Sequence, residues 1–122
     1  MKVALVVDDS KTMRDLTSAT LKSAGFEVII GVDGQDALRA LGDKDITVVT
    51  TDYNMPNMNG VELVKALRGS EKYKFIPILL ISTEQDVKIK EQAREAGASG
   101  WIKKPFEQKT LISAVSKVCG LE

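Results

Sequence analysis

Three aspartates, one serine and one lysine carry most of the chemistry available to this sequence, and each stands at the end of a short apolar run. Asp8 and Asp9 follow VALVV, Asp52 follows ITVVTT, Ser82 closes ILLI, and Lys104 follows GWIK. A carboxylate at the mouth of a buried strand is costly to desolvate unless a neighbour pairs with it or a reaction uses it. Taken alone, Asp52 reads as a helix cap or a loop acid. Whether it is more depends on whether the fold brings the other strand ends to the same place.

The composition narrows the possibilities. At 122 residues the chain is long enough for one core and too short for two, so a single domain over 1–122 is expected. Charged residues make up 28% and apolar ones 43%, the balance of an ordinary globule. Lysine plus arginine and aspartate plus glutamate both number 17, so nothing in the charge recommends nucleic acid or a membrane as partner. No apolar run is long enough to span a bilayer, and the first is too short for a signal peptide. One cysteine, Cys119, rules out an internal disulfide and makes a cytoplasmic location the simplest expectation. The absence of histidine excludes Ser-His-Asp and Cys-His catalysis and imidazole metal sites.

The elements that must position the five residues alternate regularly. Val3–Val7 is a continuous apolar strand of the parallel-sheet type. Ser10 caps a helix to about Ala24, with Met13, Leu16, Thr20 and Leu21 expected on its inner face, and Gly25 stops it. A second strand covers 27–32, and Asp33-Gly34 turns into a helix carrying Ala37, Leu38 and Leu41. The β-branched run 46–51 is a third strand, buried on both faces, which Pro56 prevents from continuing. Asn59 and Glu62 form a capping-box pattern for a helix bearing Val61, Val64 and Leu67. Pro77 opens a fourth strand ending at Ser82-Thr83. A charged helix over roughly 84–96 should bury Val87, Ile89, Ala93 and Ala96. A short strand over 100–103 then leads to a last helix over about 107–118, with Leu111, Ile112, Val115 and Val118 on one side.

Five strands alternating with five helices predict an α/β fold, a doubly wound five-stranded parallel sheet with right-handed crossovers. The order 2-1-3-4-5 is one of two common arrangements and reverses direction between strands 1 and 3, where ligands bind beyond the carboxyl ends. Asp8, Asp9 and Asp52 then converge. Such a cluster repels itself and favours a hard cation, best Mg2+. Ser82 offers a hydroxyl and Lys104 a cation, both suited to phosphoryl oxygens. One carboxylate is left to attack phosphorus, and Asp52, alone at the end of the central strand, is the candidate nucleophile.

At this point the sequence resembles a family. Asp8-Asp9, the stretch DYNMPNMNG from Asp52 to Gly60, Ser82, and Lys104-Pro105-Phe106 look like the receiver domain of two-component response regulators, of the single-domain CheY-like chemotaxis type with the flavodoxin-like (βα)5 fold. The resemblance spans essentially the whole chain. It implies that Asp52 accepts a phosphoryl group from a phosphohistidine on a separate sensor kinase. It also implies that Asp8, Asp9, Asp52 and the backbone carbonyl of Asn54 hold Mg2+, and that Ser82 and Lys104 bind the phosphoryl oxygens. The Lys104–Pro105 peptide is expected to be cis. Trp101 takes the switch-aromatic position, and Asn54 and Glu84 the positions that tune hydrolysis. Two departures stand out: Ser82 replaces the commoner threonine, and Trp101 is larger than the usual tyrosine or phenylalanine.

The resemblance further implies a signalling switch, not an enzyme acting on other substrates, although it would catalyse its own phosphoryl uptake and loss. With no module after residue 122, output is expected through protein contacts made by helix 4, strand 5 and helix 5. The expected partners are a sensor histidine kinase, a flagellar switch protein or other target, and a phosphatase, with the chain itself monomeric. The alternatives are a phosphorelay intermediate serving a histidine phosphotransfer protein, or the receiver of a longer regulator. A haloacid-dehalogenase-type phosphatase would need Asp-x-Asp-x-Thr where this chain has Asp8-Asp9-Ser10-Lys11-Thr12, and an FMN carrier would need a hydroxyl-rich loop there.

Overall fold

The computed structural model describes residues 2–120. Its strands are β1 (Val3–Val7), β2 (Glu27–Gly31), β3 (Val48–Thr51), β4 (Ile78–Ser82) and β5 (Gly100–Lys103). Its helices are α1 (Lys11–Ser23), α2 (Gly34–Leu41), α3 (Gly60–Arg68), α4 (Val87–Ala96) and α5 (Gln108–Cys119). The strands form one parallel sheet in the order β2-β1-β3-β4-β5, as the alternation predicts.

The continuous apolar runs are explained by the pleat, which sends successive side chains to opposite faces. Leu5, Val7, Val49, Ile78 and Leu80 pack with α2, α3 and α4 through residues such as Ala37, Leu63, Val64 and Ala93. Ala4, Val6, Val48, Leu79 and Ile81 pack on the other face with Leu21 of α1 and Leu111 and Val115 of α5. The central strands therefore serve two cores, and the polar side chains they carry, Thr50, Thr51 and Ser82, are buried at their carboxyl ends.

Local signals hold at most boundaries and fail at a few. Ser10 accepts from the Met13 amide, and Asn59 with Glu62 closes a complete capping box. β3 begins at Val48 instead of Ile46, because the Thr47 hydroxyl accepts the Val3 amide before the ladder proper starts. β2 stops at Gly31, and Val32 donates its amide to Asp36 instead. Helix α4 starts at Val87 with Asp86 as its cap, so Glu84 lies outside it. The inner face of α1 is Thr17, Ser18, Thr20 and Leu21, while Leu16 is exposed. On α4 only Ala93 is fully buried and Val87 is 71% exposed, against the apolar stripe expected there. Gly97 ends α4 at φ 107, a left-handed conformation that favours glycine.

Arg68, which no sequence pattern singles out, ties this half together. From the last turn of α3 its Nε and Nη2 donate to the Gly97 carbonyl at 3.0 and 2.8 Å, and its Nη1 donates to the Ile76 carbonyl at 2.6 Å. Longer bonds reach the Tyr73 and Lys74 carbonyls. One planar cation thus satisfies the end of α4 and the 69–77 connection together. Arg68→Ala is expected to lower unfolding stability by about 2–3 kcal/mol, read as a reduced urea midpoint. Arg68→Lys should recover less than half of that loss, since an ammonium cannot present the fork; full recovery by lysine would show that charge alone matters.

Candidate functional site

Register places the acids. Val7 of β1 pairs with Thr51 of β3, and the Asp52 amide donates to the Val7 carbonyl at 2.9 Å, so Asp8 and Asp52 leave adjacent strands side by side. Asp8 and Asp52 are buried and Asp9 is exposed. One carboxylate oxygen from each of the three lies within 4.8 Å of the others. At the other side, Ser82 of β4 pairs with Lys103 of β5, and the Lys104 amide donates to the Ser82 carbonyl at 2.9 Å. The Lys104 side chain then crosses to the acids: its Nζ donates to Asp8 Oδ2 at 2.8 Å and lies 3.4 Å from Asp52 Oδ2. The Lys104–Pro105 peptide is cis.

Burial holds the Asp52 carboxyl above the ordinary carboxylate value, the largest influence on it. The Lys104 charge opposes that rise, Asp8 adds to it, and the Tyr53 amide, donating to Oδ1 at 2.8 Å, draws it down again. A carboxylate kept partly desolvated and crowded by another acid is a better nucleophile than one wrapped in water. Three hard oxygen donors facing a single lysine leave an excess of negative charge, which fits a hard divalent cation held by carboxylates.

The remaining residues named from the sequence sit around this centre at different depths. Ser82 is fully buried, and its Oγ accepts from the Glu84 amide at 3.1 Å, which leaves the hydroxyl proton to donate elsewhere. Glu84 is committed to its own loop, where its Oε1 accepts from the Gln85 and Asp86 amides. The carboxylate is therefore a loop brace, not a first-turn helix acid. Asn54 is exposed. Trp101 is half-buried on β5, its ring 6.3 Å from that of Tyr53 and 5.9 Å from Lys90 Nζ, and its buried Nε1 has no hydrogen-bond partner. Beside it a groove of about 210 Å³ opens between α4 and β5, lined by Lys90, Arg94 and Ser99 over Ala93 and Trp101.

Three contributors escaped sequence reasoning. Tyr53 orients Asp52 through its amide while its ring meets Trp101. Gly60 packs so closely that an added Cβ would lie 2.4 Å from the Asp52 carbonyl oxygen, so α3 can approach the site only with glycine there. Arg14 donates from Nη1 to the Asp8 carbonyl at 2.8 Å. Position in the DYNMPNMNG stretch hinted at the first two; nothing in the sequence pointed to Arg14.

Comparison with known proteins bears on the chain as a whole. The response regulator receiver domain family matches residues 4–116. A chemotaxis protein CheY homolog of Campylobacter jejuni is 39% identical over 120 residues, covering 95% of this chain and 91% of that protein. Chemotaxis protein CheY1 of Helicobacter pylori is 40% identical, covering 95% of each. The crystal structure of Vibrio cholerae chemotaxis protein CheY4 superposes with a TM-score of 0.92 at 42% identity, over 97% of this chain and 98% of that one.

The raised Asp52 carboxyl sets a pH-dependent stability. The folded chain holds this proton to higher pH than the unfolded chain does. The group therefore favours folding at low pH, and the contribution is lost as pH rises from the ordinary aspartate range through the raised folded value. Asp52→Asn does not titrate, so its melting temperature should match wild type near pH 4 and exceed it at pH 7. Melting scans across that range would sink the assignment if the gap stayed flat or reversed.

Proposed function

The chain belongs to the response regulator receiver domain family, and from that premise we propose that it is a phosphorylation-activated switch of chemotaxis whose phosphoacceptor is Asp52. The observation that carries this is the buried Asp52 carboxylate with Asp8 and Asp9 within 4.8 Å and the Lys104 ammonium at 3.4 Å. In the transfer, an Asp52 oxygen attacks the phosphorus of a phosphohistidine on a separate sensor kinase. The P–N bond breaks, its electron pair stays on the imidazole nitrogen, which takes up a proton, and an acyl phosphate forms on Asp52. Asp8, Asp9, Asp52 and the Asn54 carbonyl would hold Mg2+, which when bound screens charge on the transferring phosphoryl oxygens.

The resting bonds indicate how the signal leaves the site. Lys104 must give up part of its hold on Asp8 to pair with a phosphoryl oxygen, and Ser82 must aim its hydroxyl proton at another. Turning Ser82 disturbs its bond to the Glu84 amide, and hence the loop that carries Asp86, the cap of α4. Trp101, next to Tyr53, is the second moving part. The groove between α4 and β5 lies within the α4–β5–α5 face, which reads out to a flagellar switch protein or comparable target. Hydrolysis closes the cycle: water attacks phosphorus, and the Asp52 carboxylate and inorganic phosphate return, with Asn54 and Glu84 tuning the rate alone or with a phosphatase. We place the whole cycle in a monomeric single domain over 1–122, in the cytoplasm.

Acetyl phosphate with Mg2+ is expected to add one phosphoryl group, located on Asp52 by mass spectrometry. Asp52→Asn and chelation of Mg2+ should each abolish the addition; full labelling of the mutant would remove Asp52 as acceptor. Because the sequence has a single tryptophan, intrinsic fluorescence reports Trp101 directly. It should change on adding Mg2+ and again on phosphorylation, and silence at both steps would uncouple Trp101 from the site.

A further inference from the structure

Arg14 is placed where an arginine is not expected to be comfortable. It stands in the first turn of α1, where the helix dipole is positive and where no acidic residue offsets it. It is half-buried, and its Nε is sealed from solvent with no hydrogen-bond partner. Lys11, the other cation of that turn, is exposed and paired with Asp15. Among the described residues Arg14 has no carboxylate within ion-pair distance, and its directed bond is from Nη1 to the backbone carbonyl of Asp8 at 2.8 Å. A guanidinium that forgoes an ion pair, and at Nε water as well, at an unfavourable helix end has the negative potential of the neighbouring acids to hold it there.

The bond to Asp8 completes a cage around that residue. The Asp8 amide donates to the Gly31 carbonyl, its Oδ1 accepts from the Ser10 amide, and its Oδ2 accepts from Lys104. Arg14 takes the fourth group, the carbonyl, and so sits behind the cluster rather than among the carboxylates. Its charge acts with opposite sign on the two ligands the site must take. A fixed positive charge weakens the binding of a cation and strengthens the binding of an anion over the same few ångströms. Mg2+ and Lys104 would together neutralise three carboxylates. Transfer replaces the single charge of Asp52 by about −1.5 to −2, an excess that one more cation offsets.

We propose that Arg14 is a positioning residue that, through the Asp8 carbonyl, fixes a positive charge behind the acidic cluster, loosening its grip on Mg2+ and favouring the anionic phosphoryl group. This rests on Asp52 being the phosphoacceptor. Mg2+ affinity is measured by calorimetry, with no phosphoryl donor present, on wild type, Arg14→Met, Arg14→Gln and Arg14→Lys. The rate of phosphorylation by acetyl phosphate at saturating Mg2+ is measured on the same four proteins. The two charge-free variants should bind Mg2+ about three- to tenfold tighter yet phosphorylate more slowly by a similar factor, and Arg14→Lys should stay within about twofold of wild type in both. A purely structural arginine would move both quantities downward, and lysine would not rescue it. Charge-free variants that bind Mg2+ no tighter, or a lysine variant that behaves like methionine, would overturn the proposal while leaving the site intact. Wild type that neither binds Mg2+ nor takes up phosphoryl would overturn the functional reading beneath it.

Discussion

The constraint on which this structure turns is the forced company of Asp8 and Asp52. Both are buried, both leave neighbouring parallel strands at the same level, and the register that joins Val7 to Thr51 gives them no room to diverge. Repulsion between them would favour fraying of the central strands if it stood alone. Lys104 answers it from the far side of β4, its side chain about as buried as the acids it meets. Removing the lysine would leave two acids facing each other in a poorly solvated place, so Lys104 is the member the set cannot spare. Much of the rest of the fold can be read as the apparatus that keeps this unstable grouping in register.

The two cores divide that labour unequally. Helix α3 buries Gly60, Val61, Leu63, Val64 and Leu67, and its first residue is pressed against the Asp52 backbone. Helix α4 buries only Ala93 completely, is capped at one end by Asp86, and is fastened at the other by Arg68 on the Gly97 carbonyl. An element with little buried apolar area has little to lose by shifting, and local stability follows that accounting. Its loose end is the end nearest Ser82. The Arg68 bonds hold one end of α4, and the bond from the Glu84 amide to Ser82 ties the loop before its other end to the site.

How much of this was legible in the sequence follows from the range of each interaction. Strand runs, the order of the sheet, the Asn59–Glu62 box and the convergence of Asp8, Asp9, Asp52 and Lys104 all depend on local pattern plus one topological rule, and the structure has them. The errors fall where a bond or packing outside the residue-type pattern decides. Leu16 and Val87 carry the apolar type yet are exposed, and α4 as a whole buries only Ala93. Glu84 falls outside its expected helix because its own carboxylate satisfies the amides that would have begun it. Arg68 and Arg14 were invisible for a deeper reason: both bond to backbone carbonyls, which every residue carries, so no residue type in the sequence announces the partner.

The same bonds explain why such a site can have two states instead of a continuum. Three polar groups of the site are already engaged in this structure. Lys104 is on Asp8, the Ser82 oxygen is held by the Glu84 amide, and the Tyr53 amide is on Asp52. On the functional reading proposed above, a new anion would take Lys104 from one acid and turn Ser82 away from its loop. Intermediate positions satisfy neither set of bonds, and buried groups left between partners are costly. Tight packing around β4, where Ser82 has no exposed surface, removes the solvent that could otherwise bridge the gap. On that reading the exchange is between two alternative hydrogen-bond sets. The half-buried Trp101 indole, on the strand paired with that of Ser82, carries a buried Nε1 without a partner.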